Sequence, residues 1–380
     1  VIPIGNDTGH PHFFFEKMGQ RRESFDVLVV RGTYDFPEGA DPILRPAEVQ
    51  EPICFADEYA GPVEENPLAA VLAREGDLVL HKPSTDIHVV GTARAPGGRA
   101  VTDWVASVRV GGVHKRVRLL GRRRFEKRLG GWRLTDPEPI TALRLDYRLA
   151  FGGAFTVPAT LSKSGQPAYL TKQDNPAGRG WLPDERDLAQ VPDDVRPYFE
   201  AQVQGIDQLD APQIEDPDDP IRKPTQRAPA QGLGPIARWW APRIDRTGTF
   251  DARWQAERSP GYPDDFDPRF FQSAHPDLVC PRYLEGDEGI TLDGLLPEGT
   301  FSMRLPGRGL VAGCLRESGE TTKGRMQLDT VAIDLDRRIV SLVWRGAFHR
   351  RDPAVVVEVT DAAAYPWADE EATAGGASHG

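Results

Sequence analysis

Thirty-four prolines and 38 glycines punctuate this chain so often that few stretches remain long enough for a stable helix. Proline removes a backbone donor and fixes φ, and glycine costs conformational entropy inside an element, so their density favours short strands joined by turns. The punctuation is uneven. Strand-like runs crowd residues 1–150 and 276–362, whereas 151–275 is rich in Pro, Gly and Trp. The expected fold is mainly β: two β-rich halves, sandwich- or barrel-like, joined by a long irregular middle with short helices. Residues 363–380, small and acidic, read as a disordered tail.

Particular strands can be named. Phe25–Phe36 carries apolar residues on both faces, as a central strand buried on two sides does, and Pro37 ends it. Asp77–Pro83 and Asp86–Ala93 read as two more strands around a Pro-Ser-Thr bend. Trp104–Val110, Gly111-Gly112 and Val113–Leu119 form a two-residue hairpin whose glycines suit a primed turn. On its second strand Val113, Val117 and Leu119 face inward with the stem of Lys115, and His114, Arg116 and Arg118 face outward. Residues 1–20 read as irregular, with Phe13-Phe14-Phe15 as an anchor. A helical segment is expected within Leu188–Gln204, interrupted by Pro192 and Pro197, and another within Trp239–Ala256. Strands return at Ile290–Leu292, Thr300–Leu305, Gln327–Asp334, Ile339–Phe348 and Ala354–Val359. Leu28-Val-Val-Arg-Gly-Thr-Tyr34 and Leu342-Val-Trp-Arg-Gly-Ala-Phe348 echo each other, which suggests equivalent sheets in the two halves.

Several function classes are excluded or disfavoured. No run of about 18 apolar residues exists, so no membrane span is expected. Val1–Asn6 lacks the basic start and apolar core of a secretory leader. Cys54, Cys280 and Cys314 are scattered and odd in number, which fits a reducing cytoplasm and neither a disulfide framework nor a metal site. No cofactor or metal is expected. Gly232-Leu-Gly234 lacks the strand a dinucleotide fingerprint needs, and Pro235 intrudes. Gly376-Ala-Ser-His-Gly380 has no helix after it to make a nucleophile elbow. His81 and His88 lack further ligands at metal spacing. No active site emerges, so catalytic residues are expected to be none.

What remains points to protein–protein contact. The net charge of -11 is segregated: acids dominate Asp184–Asp219, with Asp216, Asp218 and Asp219 at its end. Lys115–Arg128 is basic, through Arg116, Arg118, Arg122, Arg123 and Arg124. Such asymmetry steers charged partners, although the acidic total and scarce aromatics argue against direct nucleic-acid binding. The glycine-rich stretch Asp146–Phe155, resumed at Asn175–Trp181, is a loop held by aromatic anchors. Phe151, Gly152, Gly153, Arg179, Trp181, Trp239, Trp240, Tyr262 and Phe266 are the candidate partner-binding residues. The alternative is a carbohydrate- or ester-active hydrolase using Asp264 and Asp267 as paired carboxylates in a cleft between the halves.

Val30-Arg-Gly-Thr-Tyr-Asp-Phe36, Asp77-Leu-Val-Leu-His-Lys-Pro-Ser-Thr-Asp86 with Gly91, and Phe151-Gly-Gly153 occur in order along the chain. They continue through Asn175–Gly180, Gly232–Ile236, Gly248–Asp251 with Trp254, and Pro263–Asp267. In these elements, over roughly residues 20 to 350, the chain resembles the domain of unknown function 2169 family. The resemblance implies a bacterial, non-catalytic adaptor or chaperone of type VI secretion. Such a protein binds a secreted effector, often a nuclease toxin, and helps load it onto the spike through its PAAR-containing tip. The expected partners are that effector, its PAAR domain and the spike. The resemblance brings no catalytic residues with it.

Overall fold

The computed structural model describes residues 2–60 and 67–362. The expected tail and the Gly-x-Ser-x-Gly match inside it lie outside the described residues. The fold is mainly β with a few short helices, and none of its described sheets closes into a barrel. At the centre lies the Ser24–Asp35 strand, whose Val27, Leu28, Val29 and Val30 are all inaccessible to solvent. It pairs antiparallel with His12–Met18 on one side and Ile339–His349 on the other. Gln327–Asp334 and then Asp86–Val90, the latter parallel, complete the row, and Arg45–Pro46 pairs with the end of the central strand.

The two echoing sequences are therefore partners in one sheet rather than counterparts in separate ones. Val343 faces Arg31 and Arg345 faces Val29, which sets the two arginines diagonally on one face. Two of the other sheets also join early and late sequence. Asp103–Val110 lies between Val113–Leu120 and Gly289–Leu296, and Ile4–Asn6 runs parallel to Ala354–Asp361. One core, with Leu28, Trp344, Val108, Val117, Ile290 and Val357, fills the space these sheets enclose. A smaller core around Phe125, Phe151, Trp181 and Phe199 belongs to the middle of the chain.

Local differences from the sequence reading have local causes. Residues 2–20, read in sequence as irregular, hold two strands, Ile4–Asn6 and His12–Met18. In the second, Phe13 and Phe15 face one side of the sheet and Phe14 the other. Leu310–Arg316 and Thr321–Arg325 are strands whose glycine-interrupted pattern conceals them. Pro197 opens the Arg196–Gln204 helix instead of breaking it, because a first-turn residue has no intrahelical donor to lose. Only Gly111 of the hairpin turn has positive φ (53°), as a type II′ turn requires.

The most informative difference is Asp77–Pro83, which is not a strand. Its backbone crosses the face that carries the two arginines. Arg31 grips the Asp77 carboxylate with Nε at 2.9 Å and Nη2 at 2.8 Å. Arg345 donates to the Asp77 and Val79 carbonyls at 2.5 and 3.2 Å, while its Nε donates to Asp329 at 2.6 Å. A buried guanidinium stripped of its partner is left uncompensated in a poorly polarisable interior. Asp77→Ala should therefore lower stability by about 3–5 kcal/mol in urea unfolding, whereas Asp218→Ala at an exposed pair should leave the midpoint unchanged. Equal midpoints for the two variants would contradict this clamp.

Candidate functional site

The glycine-rich stretch is a close backbone crossing. Phe151 and Gly152 form a two-residue parallel bridge with Arg179 and Gly180. Asn175, wholly buried beneath it, donates from Nδ2 to the Tyr147 and Phe151 carbonyls at 2.8 and 3.2 Å. A Cβ on Gly152 would overlap the Asn175 carbonyl oxygen, so glycine is required there by space. Phe151 and Trp181 pack in the smaller core, and Trp240, with no exposed surface, donates its indole N–H to Leu68 O at 2.7 Å. Phe151, Gly152, Trp181 and Trp240 are thus buried and pack within the fold. Gly153, Arg179 and Trp239 are half-buried; Arg179 donates to Arg148 O, and Trp239 stacks on Tyr59 with centroids 5.1 Å apart.

The two charge patches meet each other. Arg116 pairs with Asp218 at 3.3 Å, Arg118 and the buried Arg123 with Glu215, Arg124 with Asp210, and Lys127 with Asp207. Pairing of Ile214–Glu215 with Val113–Leu120 and of Gln208–Asp210 with Arg124–Arg128 brings the acidic segment onto the basic one. The segregation in sequence is therefore largely cancelled in space. Asp264, Asp265 and Asp267 serve local structure at the surface: Asp264 pairs with Arg258, Asp265 accepts from Thr249, and Asp267 caps Pro268–Phe271 and pairs with Arg269.

Two features of the described residues bear most directly on function. The first is apolar. On the far side of His12–Met18 no strand is paired among the described residues, so this edge keeps open backbone donors and acceptors. Beside it Phe13 packs against Phe15 and against Phe55, whose side chain is 60 % exposed. The register Phe13–Val29, Phe15–Val27, Lys17–Phe25 carries the same face on to Phe25. Phe25, Leu80, His81, Tyr262, Phe266 and Phe271 line a cleft of about 340 Å³. Tyr262 and Phe266 stack at 4.2 Å, and Gln20, just past the edge strand, tethers this segment by donating to Pro263 O at 3.1 Å.

The second is a buried polar cluster that sequence reasoning missed. Lys82 Nζ donates to Glu75 at 2.6 Å, Asp86 at 2.9 Å and Thr330 at 3.1 Å. Arg243 donates to Glu75 at 3.0 Å, and Ser273 Oγ lies 2.6 Å from Glu75 and 3.0 Å from His88 Nε2. Burial works to raise the Glu75 pKa, but the charges of Lys82 and Arg243 outweigh it and hold the carboxyl below its usual range. Burial, followed by Lys82, pushes the His88 pKa down to about 3, so the imidazole is neutral. Since the Glu75 carboxylate can only accept, the Ser273 proton points to it and His88 Nε2–H donates to Ser273. That polarity is the reverse of a serine activated by a histidine base. Lys82 to Asp86 is a four-residue spacing readable in sequence; Arg243, Ser273 and Thr330 join from 160 to 250 residues away and are not.

The sign of the pH dependence follows. Below about pH 6.5 the unfolded chain protonates His88 while the folded chain does not, so stability falls as pH drops toward 3. Glu75 adds to this loss in more acid solution, and Asp86, whose pKa burial raises, works in the opposite direction. His88→Gln should flatten the wild-type decline between about pH 7 and 4 by on the order of 2–3 kcal/mol in urea unfolding. Parallel wild-type and variant curves would refute the assignment.

A search of the curated proteins and a search of the solved structures each give no match to this chain. Residues 21–345 match the model of a family described as an uncharacterized protein conserved in bacteria (DUF2169). That span runs from the hairpin before the central strand to Arg345, and includes the arginine clamp, the glycine crossing and the buried cluster. The chain is a member of the DUF2169 family.

Proposed function

We propose that the protein is a non-catalytic adaptor or chaperone that holds another polypeptide along the His12–Met18 edge and the aromatic face beside it. The observation that carries this reading is the adjacency of a strand edge unpaired among the described residues to half-buried Phe13, Phe15, Phe25 and Tyr262 and exposed Phe55, with Phe266 buried behind Tyr262. Strand addition uses open main-chain groups for affinity and flanking pockets for side-chain choice. Tyr and Phe in a partly desolvated cleft are suited to central anchors. The buried cluster favours the non-catalytic side of the reading, because its serine donates to a carboxylate that cannot relay the proton onward while paired to Lys82 and Arg243.

The family resemblance supplies the finer proposal: a cytoplasmic bacterial protein that delivers a type VI effector to the PAAR-tipped spike. The net charge of -11 suits a cationic client such as a nuclease toxin. Co-expression of the full chain with a tagged PAAR-containing effector tests it. The pair should co-purify. Phe55→Ser with Tyr262→Ala should reduce recovery at least about tenfold, as loss of aromatic anchors does, while Arg116→Glu should leave it unchanged. Undiminished recovery with the aromatic double variant, at wild-type thermal stability, would refute the proposed surface.

A further inference from the structure

Between the Val71–Arg74 strand and the strands Gln327–Asp334 and Ile339–His349 lies a cavity of about 240 Å³. Its wall holds Arg31, Arg345, Lys82, Glu75, Asp77 and His88, all buried. Buried charges must find partners, so an account of donors and acceptors shows what such a wall still lacks.

The acceptors are matched from within. Asp77 takes both Arg31 bonds and the Cys54 N–H at 2.8 Å. Glu75 takes Lys82, Arg243 and Ser273. Glu51 takes Arg337 and, at 2.7 Å, the Ser341 hydroxyl. Asp334 accepts two backbone N–H groups at 3.0 Å, and Glu58 stands at the mouth, 60 % exposed.

The donors are not matched. Arg31 Nη1 has only Glu51 at 3.8 Å, beyond hydrogen-bond reach. Arg345 Nη2 has no partner among the described residues, since its other nitrogens hold Asp329 and the Asp77 and Val79 carbonyls. Both residues line the cavity. Arg74 Nη2 makes a long bond to Pro52 O at 3.5 Å and lies 3.8 Å from Glu58, and its Nη1 has only Glu51 at 4.0 Å, beyond hydrogen-bond reach.

We propose that this cavity binds a small organic carboxylate, its oxygens accepting from Arg31 Nη1, Arg345 Nη2 and the guanidinium of Arg74. Planar forks of this kind match a carboxylate, and charge-assisted bonds are the strong ones. The wall carries five basic side chains (Arg31, Arg74, Lys82, Arg337, Arg345) and five acidic ones (Glu51, Glu58, Glu75, Asp77, Asp334). Unmet donors rather than net charge therefore make the selection, which favours a singly charged carboxylate over a phosphate dianion. The volume admits a short acid and lies below the roughly 300–1,000 Å³ of drug-sized sites.

Calorimetry of the full chain with acetate, lactate, succinate and inorganic phosphate, at constant ionic strength set with chloride, tests the proposal. At least one carboxylate should bind saturably at one per chain, and phosphate at least tenfold more weakly. Arg74→Gln should weaken the carboxylate about tenfold or more, the scale of one charge-assisted bond. Ala73→Leu, at an exposed position on the cavity rim, narrows the mouth with every charge in place and should weaken it likewise. No saturable carboxylate binding up to roughly 10 mM, a limit weaker than any specific site of this size, or wild-type affinity in both folded variants, would overturn it. The assay contains no client, so its outcome is separate from that of the adaptor reading.

Discussion

The antiparallel pairing of Ser24–Asp35 with Ile339–His349 is the contact on which the rest of the structure depends. It joins segments roughly 300 residues apart, so the loop-closure entropy of nearly the whole chain is opposed by this one row of hydrogen bonds and its two buried faces. One face closes the main core with Leu28, Val30 and Trp344. The other presents Arg31 and Arg345, and these turn Asp77–Pro83 into a fixed, non-strand crossing. Through that crossing the pairing also positions Lys82, the cleft residues Leu80 and His81, and the wall of the charged cavity.

Burying so many charges is not the cheapest way to stabilise a sheet, since a well-packed apolar pair often does as well. What ionic partners add is a penalty for every wrong arrangement: a slipped register would leave Arg31 or Arg345 unpaired in the interior. A one-residue slip already turns side chains to the opposite face. With strand partners so distant in sequence, such a penalty discriminates where local propensity cannot. Arg316 plays the same part between sheets, pairing with Asp26 and donating to the His349 and Asp352 carbonyls.

Periodicity made much of the frame legible in the sequence. The central strand, the Gly111-Gly112 hairpin and most C-terminal strands follow from alternation and turn residues. Pairing partners did not follow, because period-2 patterns say which face is buried and nothing about which strand lies alongside. The echo of Arg31-Gly32 and Arg345-Gly346 was visible, but its meaning as adjacency needed the register. Asp77–Pro83 looked like a strand because Leu78-Val79-Leu80 is a short apolar run; Arg345 satisfies the Asp77 and Val79 carbonyls in place of a neighbouring strand, and Arg31 holds the Asp77 carboxylate. The candidate surface was only partly legible. Tyr262 was readable only as a large aromatic among prolines, and the structure leaves it half-buried. Phe151, Trp181 and Trp240 were not distinguishable from it, since a large aromatic beside glycine reads alike whether it anchors a core or a partner. The charge patches misled for the same reason: sequence separates charges that the fold brings together.

That cancellation narrows where specificity resides. With Arg116, Arg118, Arg123 and Arg124 engaged by Asp218, Glu215 and Asp210, the basic patch is poorly placed to choose a partner. The open edge is different. Proteins usually blunt a strand edge with a bulge, a proline, inward charge or a covering loop, because an unpaired edge next to apolar side chains recruits other strands and aggregates. His12–Met18 has charges only at Glu16 and Lys17, and Glu16 is already paired with Arg350. It presents Phe13 and Phe15 on the side where Phe55 is exposed. An edge left this way carries a continuing risk of self-association, and a polypeptide that routinely occupies it removes the risk and uses the same open donors and acceptors for recognition.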